Sequence, residues 1–198
     1  YFLSTTNVDG EIIYDGFGYD RGHLAPSADF RWSSRALSES YFYSNMSPMR
    51  PEFNREIWAD LEGFLRAYVI KNKRNIIVIT GPILEDDLIS IDRAINKVSI
   101  PRLFYKIAYD PIEKASIAFL IPNKGTDEPL ESFAITVDDL EQRTKYNYLP
   151  NINESEESSI NKSIWFDDTE MGNEEPISIT EIGKGRYNTT VGGQKIGS

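Results

Sequence analysis

The chain has 198 residues and a mass of 22.6 kDa, enough for one domain with a real core and short for two. No apolar run approaches the roughly 18–20 residues needed to cross a bilayer, and the lack of cysteine excludes disulfides, thiolate zinc sites, iron–sulfur clusters and a cysteine nucleophile. A net charge of −10 argues against loose attachment to nucleic acid, but Asp20 to Arg74 holds 9 Lys/Arg against 7 Asp/Glu, leaving 12 against 24 elsewhere, so any polyanion site belongs in that early segment.

The chain starts at Tyr1 with neither a methionine nor a basic segment followed by an apolar stretch, which reads as a trimmed or mature product with sequence upstream. No internal repeat is visible. Residues 11–19 (EIIYDGFGY) mix strand formers with glycine and predict a strand and turn leading into Asp20–Pro26. Tyr41-Phe42-Tyr43 reads as a short strand, after which Pro48 and Pro51 punctuate the approach to a helix over 52–71. In that helix Phe53, Ile57, Trp58, Leu61, Phe64, Leu65, Tyr68 and Val69 recur at the spacing of one face. Arg55, Glu62 and Arg66 fall on one flank of the stripe, and Asn54 falls within it, where a polar amide needs a reason.

Residues 75–84 (NIIVITGPIL) form a continuous apolar run ended by Gly-Pro and predict a buried strand. Residues 100–109 and 115–121 predict two more strands joined near Asp110-Pro111, and Thr136 opens a short helix through Thr144. The result is an α+β domain, a mostly antiparallel central sheet flanked by helices. Beyond Asn151 the chain becomes acidic and poor in apolar groups. Residues 166–198 are expected to be a weakly ordered or surface-packed extension of a domain over 1–165, with 177–182 as a candidate edge strand. The adjacent pairs Asp86-Asp87, Asp138-Asp139 and Asp167-Asp168 read as solvated surface charges, not as a two-metal site.

The single histidine, His23, follows Asp20-Arg21-Gly22. A lone histidine is more often structural than catalytic. An Arg two residues before it, however, can place a cation and an imidazole beside one anionic group, and imidazole can take a proton from water near neutral pH. Asn45, Asn54, Glu62 and Arg66 each have plain readings, as a turn residue, a helix cap and an i,i+4 surface pair.

Taken with their flanking words they point elsewhere. YDRGHLAPSADF followed by SNMSPMRPEFNREIWADLE, then TGPI, IPRLFYKIAYD and TVDDLEQRTKYNYLPNI, resembles the DNA/RNA non-specific endonucleases, the ββα-metal nucleases, in order and spacing over residues 14–153. The resemblance implies a ββα-metal motif in the sheet-and-helix domain and a magnesium-dependent endonuclease, with Mn2+ as a substitute ion, that cuts single- and double-stranded DNA and RNA to 5′-phosphate and 3′-hydroxyl ends. It implies His23 as general base, Asn54 as the one protein ligand of the metal, Glu62 as holder of a water on that metal, and Arg66 on the phosphate. Arg21 and Asn45 would support them, with Arg21, Arg55 and Arg66 facing substrate and Asp20 bracing the motif loop. One neutral amide oxygen suits magnesium, which keeps several waters, and phosphate contacts alone carry no base preference.

The resemblance further implies export or a periplasmic location, with an organelle as the alternative, and leaves a homodimer and a dedicated protein inhibitor open; no membrane is expected. Two departures stand out. The family has a further phosphate-contacting Arg upstream of its motif, whereas nothing before Arg21 here is basic, and the stretch after Trp165 has no counterpart. Two other readings compete: a nucleic-acid-binding module built on a decayed nuclease, and a phosphodiesterase for small diesters.

Overall fold

A computed structural model describes residues 18–91 and 98–166, together with the backbone of Ser178–Glu181, Tyr187–Val191 and Gln194–Lys195. It divides into two compact units, 1–161 and 162–198. In the first, strand β1 (Asp20–His23) pairs antiparallel with β2 (Met46–Met49), and a short helix α1 (Ser34–Glu39) lies between them in sequence. Then comes a long helix: a π-turn over Phe53–Ile57 runs into α2 (Trp58–Asn72). The first unit is therefore α+β and contains a β–β–α succession. Most of the strand expected over 11–19 lies outside the described residues; Gly18 takes a positive φ of 68°, a turn conformation that suits glycine, and β1 begins at Asp20.

The sheet that organises the unit has four antiparallel strands in the order β3-β6-β7-β8, with β3 at Ile77–Pro82, β6 at Leu103–Asp110, β7 at Ala115–Pro122 and β8 at Ala134–Ile135. A separate two-stranded ribbon joins β4 (Ser90–Ile91) to β5 (Val98–Ser99). β6 and β7 are buried on both faces, and the period-2 alternation of β6 divides its side chains between two layers. Phe104, Lys106 and Asp110 face α2: Phe104 stacks on Phe53 and meets Trp58, Lys106 lies over the Trp58 ring, and Asp110 accepts the Tyr68 hydroxyl proton at 2.7 Å. Ile107 and Tyr109 face the other way, into a cluster with Ala118, Val137, Leu140 and Leu149. The last three belong to helix α3 (Val137–Thr144) and the turn after it. Thr136 caps α3 as expected, its Oγ1 accepting the Asp139 N–H at 3.0 Å.

Two expectations fail on tertiary grounds. The apolar run at 75–84 forms β3, but among the described residues β3 has β6 on one side only, and Ile77 and Val78 are exposed instead of buried. Tyr41–Tyr43 is no strand. The chain turns there into a single 3-10 turn (Tyr43–Asn45), its three aromatic rings lie at the surface, and the strand starts three residues later at Met46. With no strand paired to it among the described residues, the aromatic β-propensity of this run has nothing to act on.

A short helix α4 (Glu154–Glu157) closes the described part of the first unit. The second unit holds a one-turn helix α5 (Lys162–Trp165) and the antiparallel strands β9 (Ser178–Glu181), β10 (Tyr187–Val191) and β11 (Gln194–Lys195), in the order β11-β10-β9. β9 falls within the stretch read as an edge strand; the rest of the expected extension over 166–198 lies largely outside the described residues, Asp167 and Asp168 included. No helix among the described residues is long and apolar enough to cross a membrane.

Candidate active site

The β1–β2 register places Asp20 opposite Met49, Arg21 opposite Pro48, Gly22 opposite Ser47 and His23 opposite Met46. Alternation along β1 then puts Arg21 and His23 on one face and Asp20 and Gly22 on the other. On the first face the Arg21 guanidinium lies 5.5 Å from the Tyr43 ring centre, and the His23 and Tyr41 rings meet at right angles with 4.8 Å between their centres. On the second, Gly22 packs so closely that a Cβ would stand 2.0 Å from Met49 Sδ and 2.9 Å from Met49 Cβ. Met49 is fully buried and cannot swing aside. Gly22→Ala is therefore expected to cost about 1–3 kcal/mol by overpacking and to lower any activity that depends on His23. Urea denaturation checks this, and in a double-mutant cycle with Met49→Ala the double variant should lose less than the sum of the two single losses, because they share one contact.

Asp20 ties the strand to the helix. Its Oδ2 accepts from Asn54 Nδ2 at 3.0 Å and from Arg55 Nε at 2.9 Å, and its Oδ1 from Arg55 Nη2 at 2.8 Å. Since the Asn54 NH2 is committed to Asp20, its Oδ1 is turned away from that carboxylate and is left as the oxygen that can coordinate a cation. Asn54 and Arg55 sit in the π-turn, whose wider winding sets both side chains toward β1. The helix reaches the histidine strand a second time through Trp58 Nε1, which donates to the His23 carbonyl at 3.3 Å.

Asn45 braces the loop after the histidine. Its Oδ1 accepts the Ala25 N–H at 2.9 Å, and its Nδ2 donates to the carbonyls of Ala25 and Ser40, both at 2.8 Å. All of this holds backbone, so Asn45 is a positioning residue. His23 is half-buried, its Nε2 is buried without a hydrogen-bond partner among the described residues, and burial holds its pKa below the ordinary histidine value. The histidine is thus kept neutral with an unsatisfied ring nitrogen.

Glu62 and Arg66 lie one turn apart on α2 and line a groove of about 460 Å³ with Asp29, Leu65, Val78 and Lys106. Arg66 Nε donates to Asp29 Oδ1 at 2.8 Å. The three residues read as one flank of the helix therefore meet different partners: Arg55 goes to Asp20, whereas Glu62 and Arg66 join Asp29 and Lys106. Sequence reasoning missed Lys106, although a lysine inside the apolar strand LFYKIAYD was a visible signal. It is 1% exposed, and its Nζ donates to the Leu24 carbonyl at 3.1 Å and to Thr80 Oγ1 at 2.9 Å. Burial pushes the Glu62 carboxyl up and the Lys106 ammonium down, each opposed by the charge of the other. Lys106 thereby links the loop that follows His23 to the carboxylate of α2.

The donor chemistry suits magnesium, with a neutral amide oxygen on Asn54 and a carboxylate on Glu62, although the groove is lined by Glu62 and by neither Asn54 nor His23. One further acidic group departs from expectation. Asp138 is half-buried, not a freely solvated charge, and its carboxylate comes together with those of Glu141 and Glu157. Asp86 and Asp87 are exposed as expected, Asp87 being paired with Arg102 at 2.8 Å.

Comparison with known proteins bears on the whole first unit. The profile of the DNA/RNA non-specific endonuclease family matches residues 3–155. Human mitochondrial endonuclease G is 32% identical over 160 residues, covering 74% of this chain and 52% of its own. A nuclease of Nostoc sp. is 30% identical over 165 residues, covering 77% and 58%. Among solved structures, a crystal structure of the EndoG/EndoGI complex, described as showing the mechanism of EndoG inhibition, aligns with a TM-score of 0.63 at 29% identity, covering 75% of this chain and 66% of that one. The chain thus spans about half the length of the human relative.

Proposed function

Because the chain belongs to the DNA/RNA non-specific endonuclease family, we propose that it is itself a magnesium-dependent nuclease that hydrolyses phosphodiester bonds in DNA and RNA. What supports this most is the way one strand serves both halves of the site: β1 carries His23, and through Asp20 it grips the amide of Asn54. The named relatives are nucleases, and their family is defined by action on both nucleic acids.

In this mechanism His23, kept neutral by burial, takes a proton from a water molecule. The water oxygen forms a bond to phosphorus as the bond to the 3′ oxygen breaks, leaving a 5′-phosphate and, once a proton is returned from solvent, a 3′-hydroxyl. Asn54 Oδ1 would hold magnesium directly and Glu62 would hold it through a water. When bound, the ion supplies Lewis-acid stabilisation of charge on the phosphate and on the leaving oxygen. Arg66 and Arg21 contribute positive charge to the phosphate as it gains negative charge, and Arg55, held by Asp20, extends that surface. Contacts of this kind read phosphate and sugar, so base preference is expected to be weak.

Supercoiled plasmid and single-stranded RNA, each incubated with magnesium or with EDTA, test the proposal. Both should be cut with magnesium and neither with EDTA; binding without cleavage in magnesium would instead indicate a binding module. Dinucleotides cut as fast as plasmid would favour the small-diester reading. The pH dependence carries the same signature. The base must be neutral, and burial lowers the pKa of His23, so at saturating magnesium the rate should hold as pH falls past the ordinary histidine value of about 6.5 and drop only below it. At limiting magnesium the acid-side loss should begin at higher pH, because the raised Glu62 carboxyl must first lose its proton. Rate profiles at two magnesium concentrations separate the two limbs.

The proposed location is secreted or periplasmic, because an unrestricted nuclease endangers its own genome, with an organelle as the alternative in line with the mitochondrial human relative. An inhibitor protein is proposed as a partner, since the solved relative is held in an inhibitor complex.

A further inference from the structure

The face of the sheet opposite Lys106 carries a second cluster of charged groups that the nuclease reading does not use. Asp138 and Glu141 project from α3 and Glu157 from α4, and one carboxylate oxygen of each lies within 4.8 Å of the others. Glu157 is only 8% exposed, and its Oε1 is buried with no hydrogen-bond partner among the described residues. A buried ionised carboxylate without a partner is strongly unfavourable. Its charged neighbours, Glu141, Asp138, Glu154 and Glu156, are all acidic. One oxygen of Glu141 is already engaged, accepting the Tyr148 N–H at 2.7 Å, which orients the group and leaves its other oxygen available.

We propose that Asp138, Glu141 and Glu157 form a calcium site that fastens α4 to α3. Two oxygens bonded to one Ca2+ at about 2.4 Å stand at most about 4.8 Å apart, so the three carboxylates, whose oxygens lie within 4.8 Å of one another, are near enough to share one such ion. Mg2+ holds its oxygens at about 2.1 Å in a strict octahedron and gives up water reluctantly, so it suits three fixed carboxylates less well. A cation among the three carboxylates would supply the partner that the buried Glu157 Oε1 lacks. The ion would fasten more than one helix turn. Glu156, next along α4, accepts the Tyr109 hydroxyl proton at 2.6 Å, and its carbonyl accepts from the Ser116 hydroxyl. Calcium at Glu157 thus ties α3, α4 and the two central strands together, and this holds whether or not the chain is a nuclease.

The test is thermal melting of the full chain in EDTA and in millimolar calcium, with Asn54→Ala in parallel to remove ions bound at the candidate active site. Calcium is expected to raise Tm by about 5 °C in both the parent and Asn54→Ala, and to leave Glu157→Gln unchanged. In EDTA, Glu157→Gln should melt no lower than the parent, because it removes a buried charge and keeps the shape. If Glu157→Gln does not fold, calorimetric titration of Glu141→Gln in the Asn54→Ala background decides, and it should show no calcium heat. The proposal is overturned if calcium leaves the parent unchanged, which would mean that a proton alone discharges the cluster. It is equally overturned if the rise persists in both Glu157→Gln and Glu141→Gln.

Discussion

Replacing His23 by alanine is expected to lower cleavage of plasmid and RNA by about 10²–10⁴-fold, the usual contribution of a positioned general base, while the fold stays intact. The side chain is half-buried and its ring contact is the Tyr41 ring at right angles, so truncation removes little packing. The elements around it are held through backbone: Trp58 grips the His23 carbonyl, and the Leu24 N–H donates to the Asn45 carbonyl at 2.9 Å. Tm and DNA binding in EDTA should therefore stay close to wild type while turnover collapses. Retention of more than about a tenth of the rate would put the base elsewhere.

Lys106→Met is expected to destabilise the protein by about 3 kcal/mol, the range found when one partner of a buried charge pair is removed. Methionine fills much of the same volume, so the loss is electrostatic and not a cavity. The substitution leaves the Leu24 carbonyl and Thr80 Oγ1 without their donor and the half-buried Glu62 without the Lys106 charge that favours its ionised form. Glu62 should then bind its proton more tightly, and the magnesium concentration needed for half-maximal cleavage should rise. Denaturant titration measures the first effect and activity against magnesium the second. Adding Glu62→Gln to Lys106→Met should restore much of the stability, since it removes the stranded charge, but none of the metal response. If the double variant is no more stable than Lys106→Met, the two side chains are not energetically coupled.

The parts of this molecule legible in the sequence are those governed by short-range spacing. The stripe of Phe53, Ile57, Trp58, Leu61, Leu65 and Tyr68 is the buried face of the long helix, and Thr136 does cap α3. The polar Asn54 stands out within that stripe, and the contact that accounts for it, with Asp20, is tertiary. Apolar runs without periodicity encode less. Isoleucines and valine at 76–79 announce a strand but not its place in the sheet, and with β6 on one side only among the described residues, Ile77 and Val78 stand in solvent.

By itself the sequence determined the α+β class, the Asp20–His23 segment and the helix that follows it, because turn chemistry, helical period and a run of motif words are all properties of neighbouring residues. Only the tertiary structure decided that Asp20 holds Asn54 and Arg55, that Lys106 sits buried beside Glu62, and that Asp138 joins Glu141 and Glu157. Lys106 and Leu24 are 82 residues apart, and no local preference encodes such a meeting. The lysine is brought there because the alternation of β6 turns it toward α2, and α2 is held against that face by the apolar stripe, so the packing of the core sets the charge at the site.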